Sequence, residues 1–141
     1  MKRIALFVLC LLEVCSFSAC GSIAEHGNST AQVTVINASS EEIYGIGCAW
    51  YVNGSLKSSG GGCNADNSAI KMGDFFDLDT KSWLEDTENV ELELSVVSKS
   101  GKEYPCGSRI DVEIEDGTTC EIRITGDYKS GFDVSIGAEE E

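Results

Sequence analysis

The chain has 141 residues, of which 42% are hydrophobic, and it carries a formal net charge of −14 with seven cysteines, one proline and one histidine. The length fits one ordinary domain and not two. The charge argues against the positive patch that nucleic acids and anionic lipids require. The hydrophobic fraction is too high for a disordered acidic chain, and a lone histidine removes most His-based catalysis.

The first twenty residues have the layout of a secretory signal. Met1–Arg3 is basic, Ile4–Val14 is an apolar run interrupted by Glu13, and small residues follow up to Cys20. The apolar run is far shorter than the roughly 20 residues that a membrane-spanning helix needs. We therefore predict that residues 1–19 are a signal peptide.

The end of this segment is more specific. Phe17-Ser18-Ala19-Cys20 resembles the bacterial lipobox, in which small residues precede a cysteine that receives a diacylglyceryl group and becomes the new N-terminus. The resemblance implies that Cys20 is lipidated and anchors the protein to a bacterial membrane on its extracytoplasmic side. Two or more acyl chains give the stable attachment that one chain does not. Ordinary cleavage without lipidation, for example after Ser18, is the alternative.

Two short segments flank the predicted domain. Residues 20–31 are small and polar without periodicity, which predicts a flexible tether. Residues 138–141 end in three glutamates and predict a frayed acidic tail. The folded domain is therefore expected over residues 32–137.

Period-two alternation runs through this domain and predicts β-strands. It is clearest over Val90–Val96, where aliphatic residues alternate with glutamate and serine, and no segment shows a 3.6-residue period over ten or more residues. The alternating segments begin at Val33, Ile43, Leu56, Asp74, Val90, Ile110, Cys120 and Phe132. About eight strands at this spacing, each with one polar face, predict an all-β fold, a single antiparallel β-sandwich.

Two turns are expected to set the strand pairing. Asn53-Gly54 favours a tight two-residue hairpin because both central positions need positive φ. A three-residue loop at Glu115–Gly117 would pair residues 110–114 with 120–124 and keep their apolar faces together. The large aromatic residues are expected in the core, with the lining of a binding groove as the alternative; they are Trp50, Phe75, Phe76 and Trp83.

Four cysteines remain in the domain once those of the signal are removed and Cys20 is lipidated. In an oxidising compartment they should form two disulfides, with three possible connectivities; they are Cys48, Cys63, Cys106 and Cys120. Sequence proximity favours 48–63 with 106–120, although the predicted hairpin leaves the second pair about 20 Å apart unless the chain around Cys106 folds back. The spacings match no zinc module.

Residues 74–88 hold the densest cluster of acids. Hard cations such as Ca²⁺ bind several carboxylate oxygens from one short loop. Asp77, Asp79 and Glu88 fall at the spacing of the first, third and last ligands of an EF-hand, but Ser82 stands where that loop needs glycine. A solvated acidic loop is therefore the preferred interpretation, and these three residues are candidate metal ligands only in the alternative.

A resemblance rests on the first half of the domain. VTVINASSEEIYGIGCAWYVNGSL, followed by NADNSAIKMGDFFDLD, resembles the opening half of small immunoglobulin-like domains of bacterial lipoproteins. The shared features are a strand ending in Asn, an extended second strand, a hairpin, and Met72-Gly73-Asp74 before the next strand. The resemblance covers residues 32–80 and implies an immunoglobulin-like sandwich at the cell surface with no catalytic residues. The Cys…Trp…Cys spacing of antibody domains is missing.

Together these features predict a lipid-anchored extracytoplasmic β-sandwich that acts as a binding or structural module for a protein or envelope partner. Strand addition at an exposed sheet edge is one route, since it needs no special side chains. The alternative is a Ca²⁺-dependent surface or adhesion module that uses residues 74–88. No pair of acids and no nucleophile stands out, so we expect no enzyme, no cofactor and no nucleic-acid partner.

Overall fold

The alternating segments form strands in the computed structural model, which describes residues 31–78, 80, 89–115 and 117–137. Within these residues the chain is all-β, as predicted, and no helix is long and apolar enough to cross a membrane. The described strands are β1 (Gln32–Asn37), β2 (Gly45–Val52), β3 (Ser55–Gly62), β4 (Phe75–Leu78), β5 (Val90–Val97), β6 (Glu103–Pro105), β7 (Ile110–Asp111), β8 (Thr119–Asp127) and β9 (Gly131–Ile136).

These strands form two sheets around one hydrophobic core. One sheet has the order β4-β1-β8-β9, and the other has the order β3-β2-β5-β6, with β7 also paired to β5. On β5, Val90, Leu92, Leu94 and Val96 are at most 3% exposed, while the residues between them lie on the outer face. The period-two pattern therefore predicted correctly which face of this strand is buried.

The hairpin at Asn53-Gly54 is confirmed. Both residues have positive φ, at 50° and 77°, and Val52 lies opposite Ser55 across the turn. The register of β2 and β3 then shifts between Trp50 and Tyr51, which is a β-bulge.

The prediction of a purely antiparallel sandwich is wrong at one pair of strands. β1 and β8 run parallel, with Val33 opposite Cys120 and Asn37 opposite Ile124. The other paired strands are antiparallel. Alternating hydrophobicity is the same for either direction of a strand, so the pattern carried no information about this pairing.

The predicted hairpin between residues 110–114 and 120–124 is also wrong. β7 pairs with β5 in one sheet, whereas β8 lies between β1 and β9 in the other. The turn between them carries the chain across the core, and the backbone N–H of Thr118 donates to the carbonyl of Glu115 at 3.1 Å. A glycine with positive φ at position 117 serves such a crossing as well as a hairpin, so the turn signal was ambiguous.

A buried amide holds the end of β1 in place. The side chain of Asn37 is inaccessible to solvent, and its nitrogen donates to the carbonyls of Glu41 and Ile70, both at 2.9 Å. Its oxygen accepts from the backbone N–H and the hydroxyl of Ser39, at 3.0 and 2.7 Å. Both donors and the oxygen of the amide are therefore satisfied, as burial requires.

Replacing this amide tests its contribution to stability. We expect Asn37→Ala to lower the free energy of unfolding by about 3 kcal/mol, because buried carbonyl and hydroxyl partners lose their hydrogen bonds. Urea denaturation measures the change. Asn64→Ala is the matched control, since the Asn64 amide also donates to backbone carbonyls but lies in a more exposed loop. We expect this control to cost under about 1 kcal/mol, and equal losses would contradict the assignment.

Candidate functional site

The two long sides of the sandwich differ. On one side β6 and β9 meet, and Cys106 forms an isolated parallel bridge with Phe132. The rings of Tyr104, Tyr128 and Phe132 pack edge to face there, with centroids 5.0 to 6.4 Å apart. We call this the closed side, because backbone bonding and aromatic packing join the two sheets across it.

Within the described residues, the opposite side is open between β3 and β4. Among the described strands, β3 pairs only with β2 and β4 pairs only with β1. A cavity of about 280 Å³ lies between these two edges. It is lined by Cys48, Trp50, Ser58, Ser59, Gly60, Gly61, Phe76, Asp77 and Leu78. We call this the open side.

The cavity exists because the residues of β3 that face the core have small side chains or none. Residues opposite one another on paired strands share a face. The positions of β3 opposite Trp50, Cys48 and Ile46 of β2 are Ser58, Gly60 and Gly62. None of the three has a side chain larger than a hydroxymethyl group. The ring of Phe76 fills the space beneath Gly62, and the described residues leave the space beneath Gly60 unfilled.

The three consecutive glycines of β3 are not equivalent. A Cβ atom at Gly62 would overlap the ring of Phe76, and one at Gly61 would overlap the backbone of Ile46. These two glycines are therefore required for the close contacts around them. A Cβ atom at Gly60 would meet nothing within 4 Å, because that position faces the open space.

The floor of the cavity is apolar. Trp50 and Leu78 are 4% and 6% exposed, and Cys48 and Phe76 are half-buried. Trp50 is therefore a core residue, as expected, that also lines a groove. Phe75 differs from the prediction, because it lies on the outer face of edge strand β4 and is 67% exposed.

The exposed strand β3 has little of the protection that edge strands usually carry. Natural sheet edges are commonly blocked by charges, proline or bulges placed along them. β3 has no proline, and its one charged residue, Lys57, lies at the bulge with β2, so residues 58–62 have neither of these protections. Its remaining side chains are small or absent, apart from Leu56, so its free edge is open to another extended chain.

The predicted Ca²⁺ ligands do not form a site within the described part of the chain. Asp77 lies on β4 opposite Thr34 of β1, whose hydroxyl donates to its carboxylate at 2.7 Å. Asp79 and Glu88 lie outside the described residues, as does Trp83. Among the residues that the structure does describe, no group of three or more His, Cys, Asp or Glu side chains is placed to hold a metal ion. Calcium binding by residues 74–88 stays a prediction.

The structure does not show the predicted disulfides. The four cysteines of the domain lie on different strands or just beyond their ends, and no two are bonded to each other; they are Cys48, Cys63, Cys106 and Cys120. Cys20 lies outside the described residues.

Strand register explains why the favoured pairs are apart. Cys48 lies opposite Gly60, so Cys63 is three residues further along, about 10 Å at the rise of a strand. Cys106 bridges Phe132, which lies opposite Gly126 of β8, six residues or about 20 Å from Cys120. Bridged cysteines need Cα atoms within about 7 Å.

A second cleft, of about 290 Å³, lies near the end of β8 and has an acidic rim. Asp111, Glu113, Glu115 and Glu121 line it together with Cys120 and Ile136. Arg123 pairs with Glu121 at 2.6 Å, and the carboxylates of the rim face solvent. Solvated acids of this kind keep a protein soluble without forming a site, so the open side remains the stronger candidate.

Comparison with known proteins shows no family for this chain. No family model matches the chain, and no curated protein matches it. Among solved structures, the NMR structure of a protein from Eubacterium rectale is similar, with a TM-score of 0.48 and 17% identity over 83% of this chain and 97% of that one.

Substitutions on β3 test whether the cavity has room for a side chain. We expect Gly60→Val to raise the free energy of unfolding by about 0.5 kcal/mol, because a side chain there meets no described atom and valine restricts the unfolded chain more than glycine does. Gly62→Val is the matched control and should lower it by about 2 kcal/mol, because the ring of Phe76 must move. Urea denaturation of both variants gives the comparison. Equal destabilisation by the two substitutions would show that the space at position 60 is closed.

Thiol labelling tests the placement of the cysteines. Burial is the main cause that raises the pKa of the Cys106 thiol to about 12 from an ordinary 9.0. Since the thiolate is the reactive form, we expect Cys106 in the native, reduced chain to resist alkylation even at pH 10, while the exposed Cys63 reacts fast. Peptide mapping measures both. Fast labelling of Cys106 without unfolding would contradict its burial.

Proposed function

We propose that this chain is a lipid-anchored extracytoplasmic binding module that captures an extended segment of a protein or envelope partner by adding it to β3 as a further strand. The observation that carries the proposal is the free edge of β3 on the open side. An added strand gains affinity from main-chain hydrogen bonds and specificity from pockets for alternate side chains. The open side offers both, a backbone edge and a cavity beside it.

The choice of β3 over the other described edge strands follows from length and composition. β3 has eight residues, whereas β4 has four, β6 has three and β9 has six. β6 contains Pro105, which offers no N–H, and its side of the sandwich is closed against β9. β3 therefore offers the longest row of backbone groups to a partner.

The anchoring part of the proposal comes from the lipobox resemblance. Lipidated Cys20 would hold the domain through the tether of residues 20–31, which leads into β1 at Gln32. The formal charge of −14 would be repelled by an anionic membrane surface. The domain would then face away from the lipid, with its edge available to partners in the envelope.

Selection from a library of random eight-residue peptides, displayed and captured by the full chain, tests the proposed function. Hydrogen exchange of the chain with a captured peptide should show new protection of backbone amides within residues 55–62. Residues 131–136, which form edge strand β9 of the other sheet, are the internal control and should be unaffected. Protection confined to any other edge would overturn the proposal.

Proline substitution sharpens the same test. Successive residues of a strand point their N–H groups to opposite sides. Of Ser59→Pro and Gly60→Pro, one therefore removes a hydrogen bond to β2, and the other removes a donor from the free edge. We expect the second variant to stay folded and to lose binding at least about tenfold, the equivalent of 1.4 kcal/mol. Undiminished peptide affinity in both variants would contradict strand addition at β3.

A further inference from the structure

The cavity on the open side adds a side-chain requirement to strand addition, and this inference rests on the proposed function. We propose that the segment captured at β3 is basic and inserts one large apolar side chain into the cavity between β3 and β4. The structure supplies three observations for it: where an added strand would place its side chains, what lines the cavity, and the charge of the chain.

The position of an added strand follows from sheet geometry. Neighbouring strands lie about 4.8 Å apart, and alternate residues of a strand face the same side of the sheet. The inward residues of a strand paired to β3 would therefore stand at the mouth of the cavity, beside β4. Ser58 and Gly60 leave the space beneath β3 empty, so an inward side chain of the partner can extend under it.

The lining of the cavity selects the kind of side chain. Among the described residues, Trp50, Phe76 and Leu78 form its apolar surface. The carboxylate of Asp77 lies on the outer face of β4, where it accepts from the hydroxyl of Thr34. A polar inward residue would lose water there and gain little more than the hydroxyl of Ser58 as a partner, which is unfavourable. An aromatic or branched aliphatic residue would bury its own surface and that of the exposed floor, which makes it the anchor of the interaction.

Charge selects the rest of the segment. The whole chain carries a formal charge of −14, which outweighs the single positive charge of Lys57 on β3. Such a field attracts basic partners and repels acidic ones at ordinary ionic strength. It also disfavours a second copy of this chain, because both copies carry the same large negative charge. A basic segment from another protein is therefore the occupant that fits.

Three synthetic peptides test the two requirements separately. The first is Lys-Thr-Lys-Trp-Lys-Thr-Lys-Thr, the second replaces its Trp by Ala, and the third replaces every Lys by Glu. Calorimetric titration of the full chain should give the first peptide an affinity at least about tenfold above each of the others, a difference of 1.4 kcal/mol. Added salt should weaken the first peptide, since the attraction of charges is screened.

The Gly60→Val variant distinguishes the contribution of the anchor side chain in the cavity from that of strand pairing along β3. The valine side chain takes up part of the cavity, so in this variant the advantage of the Trp peptide over the Ala peptide should shrink while the amides of residues 55–62 stay protected. The parent chain should distinguish the two. The inference would be overturned if the parent chain bound the Trp and Ala peptides with equal affinity, or the Lys and Glu peptides with equal affinity, while β3 was still protected. The proposed function would then still stand.

Two other outcomes are decisive. If none of the peptides protects β3 and the library selection also fails to do so, the proposed function and this inference fall together. The second outcome concerns the chain without peptide, whose oligomeric state is measured by sedimentation and whose protection of β3 is measured by hydrogen exchange. A dimer with β3 already protected would show that a second copy is the occupant, which overturns the basic segment.

Discussion

The buried amide of Asn37 is the constraint on which the arrangement of the first sheet depends. β1 is central in that sheet, between β4 and parallel β8. Its last residue therefore lies beside two loops, the one that leads to β2 and the one that leads to β4. The Asn37 side chain bonds the backbone at Glu41 and Ile70, while its own backbone bonds Gly73 and Asp74 just before β4. One residue thus fixes the exit of β1, the approach to β2 and the entry to β4.

The closed and open sides follow from what each edge contributes to the core. On the closed side, Tyr104, Tyr128 and Phe132 fill the gap between the sheets, and Cys106 bridges the backbones. On the open side, β3 contributes glycine and serine, and among the described residues Phe76 reaches across from the other sheet to Gly62. The glycines that Phe76 and Ile46 require are structural, and Gly60 alone among the three consecutive glycines faces space. This asymmetry is the physical basis for proposing one edge rather than another as a binding site.

Sequence reasoning located parts of the candidate site without identifying it. Trp50 and Phe76 were recognised as core residues that alternatively line a groove, and strand addition was recognised as a route that needs no special side chains. The location at β3 could not be derived, because a Gly-rich strand has the same composition whether its neighbour is absent or present. The structure does not show the predicted cysteine pairs for a related reason. Proximity along the chain favours 48–63 and 106–120, but strand register places the two cysteines of each pair far apart.

The sequence by itself determined where most of the strands lie, although not β6, which face of β5 is buried and where the Asn53-Gly54 hairpin turns, because these depend on local alternation and on backbone preferences of a few residues. Only the tertiary structure decided that β1 runs parallel to β8, that β7 and β8 belong to different sheets, and that β3 is left at an open edge. Alternation records that a face is buried but not against which strand or in which direction. Those choices are made by contacts between residues far apart in the chain, such as the amide of Asn37 with Ile70, and local patterns do not encode them.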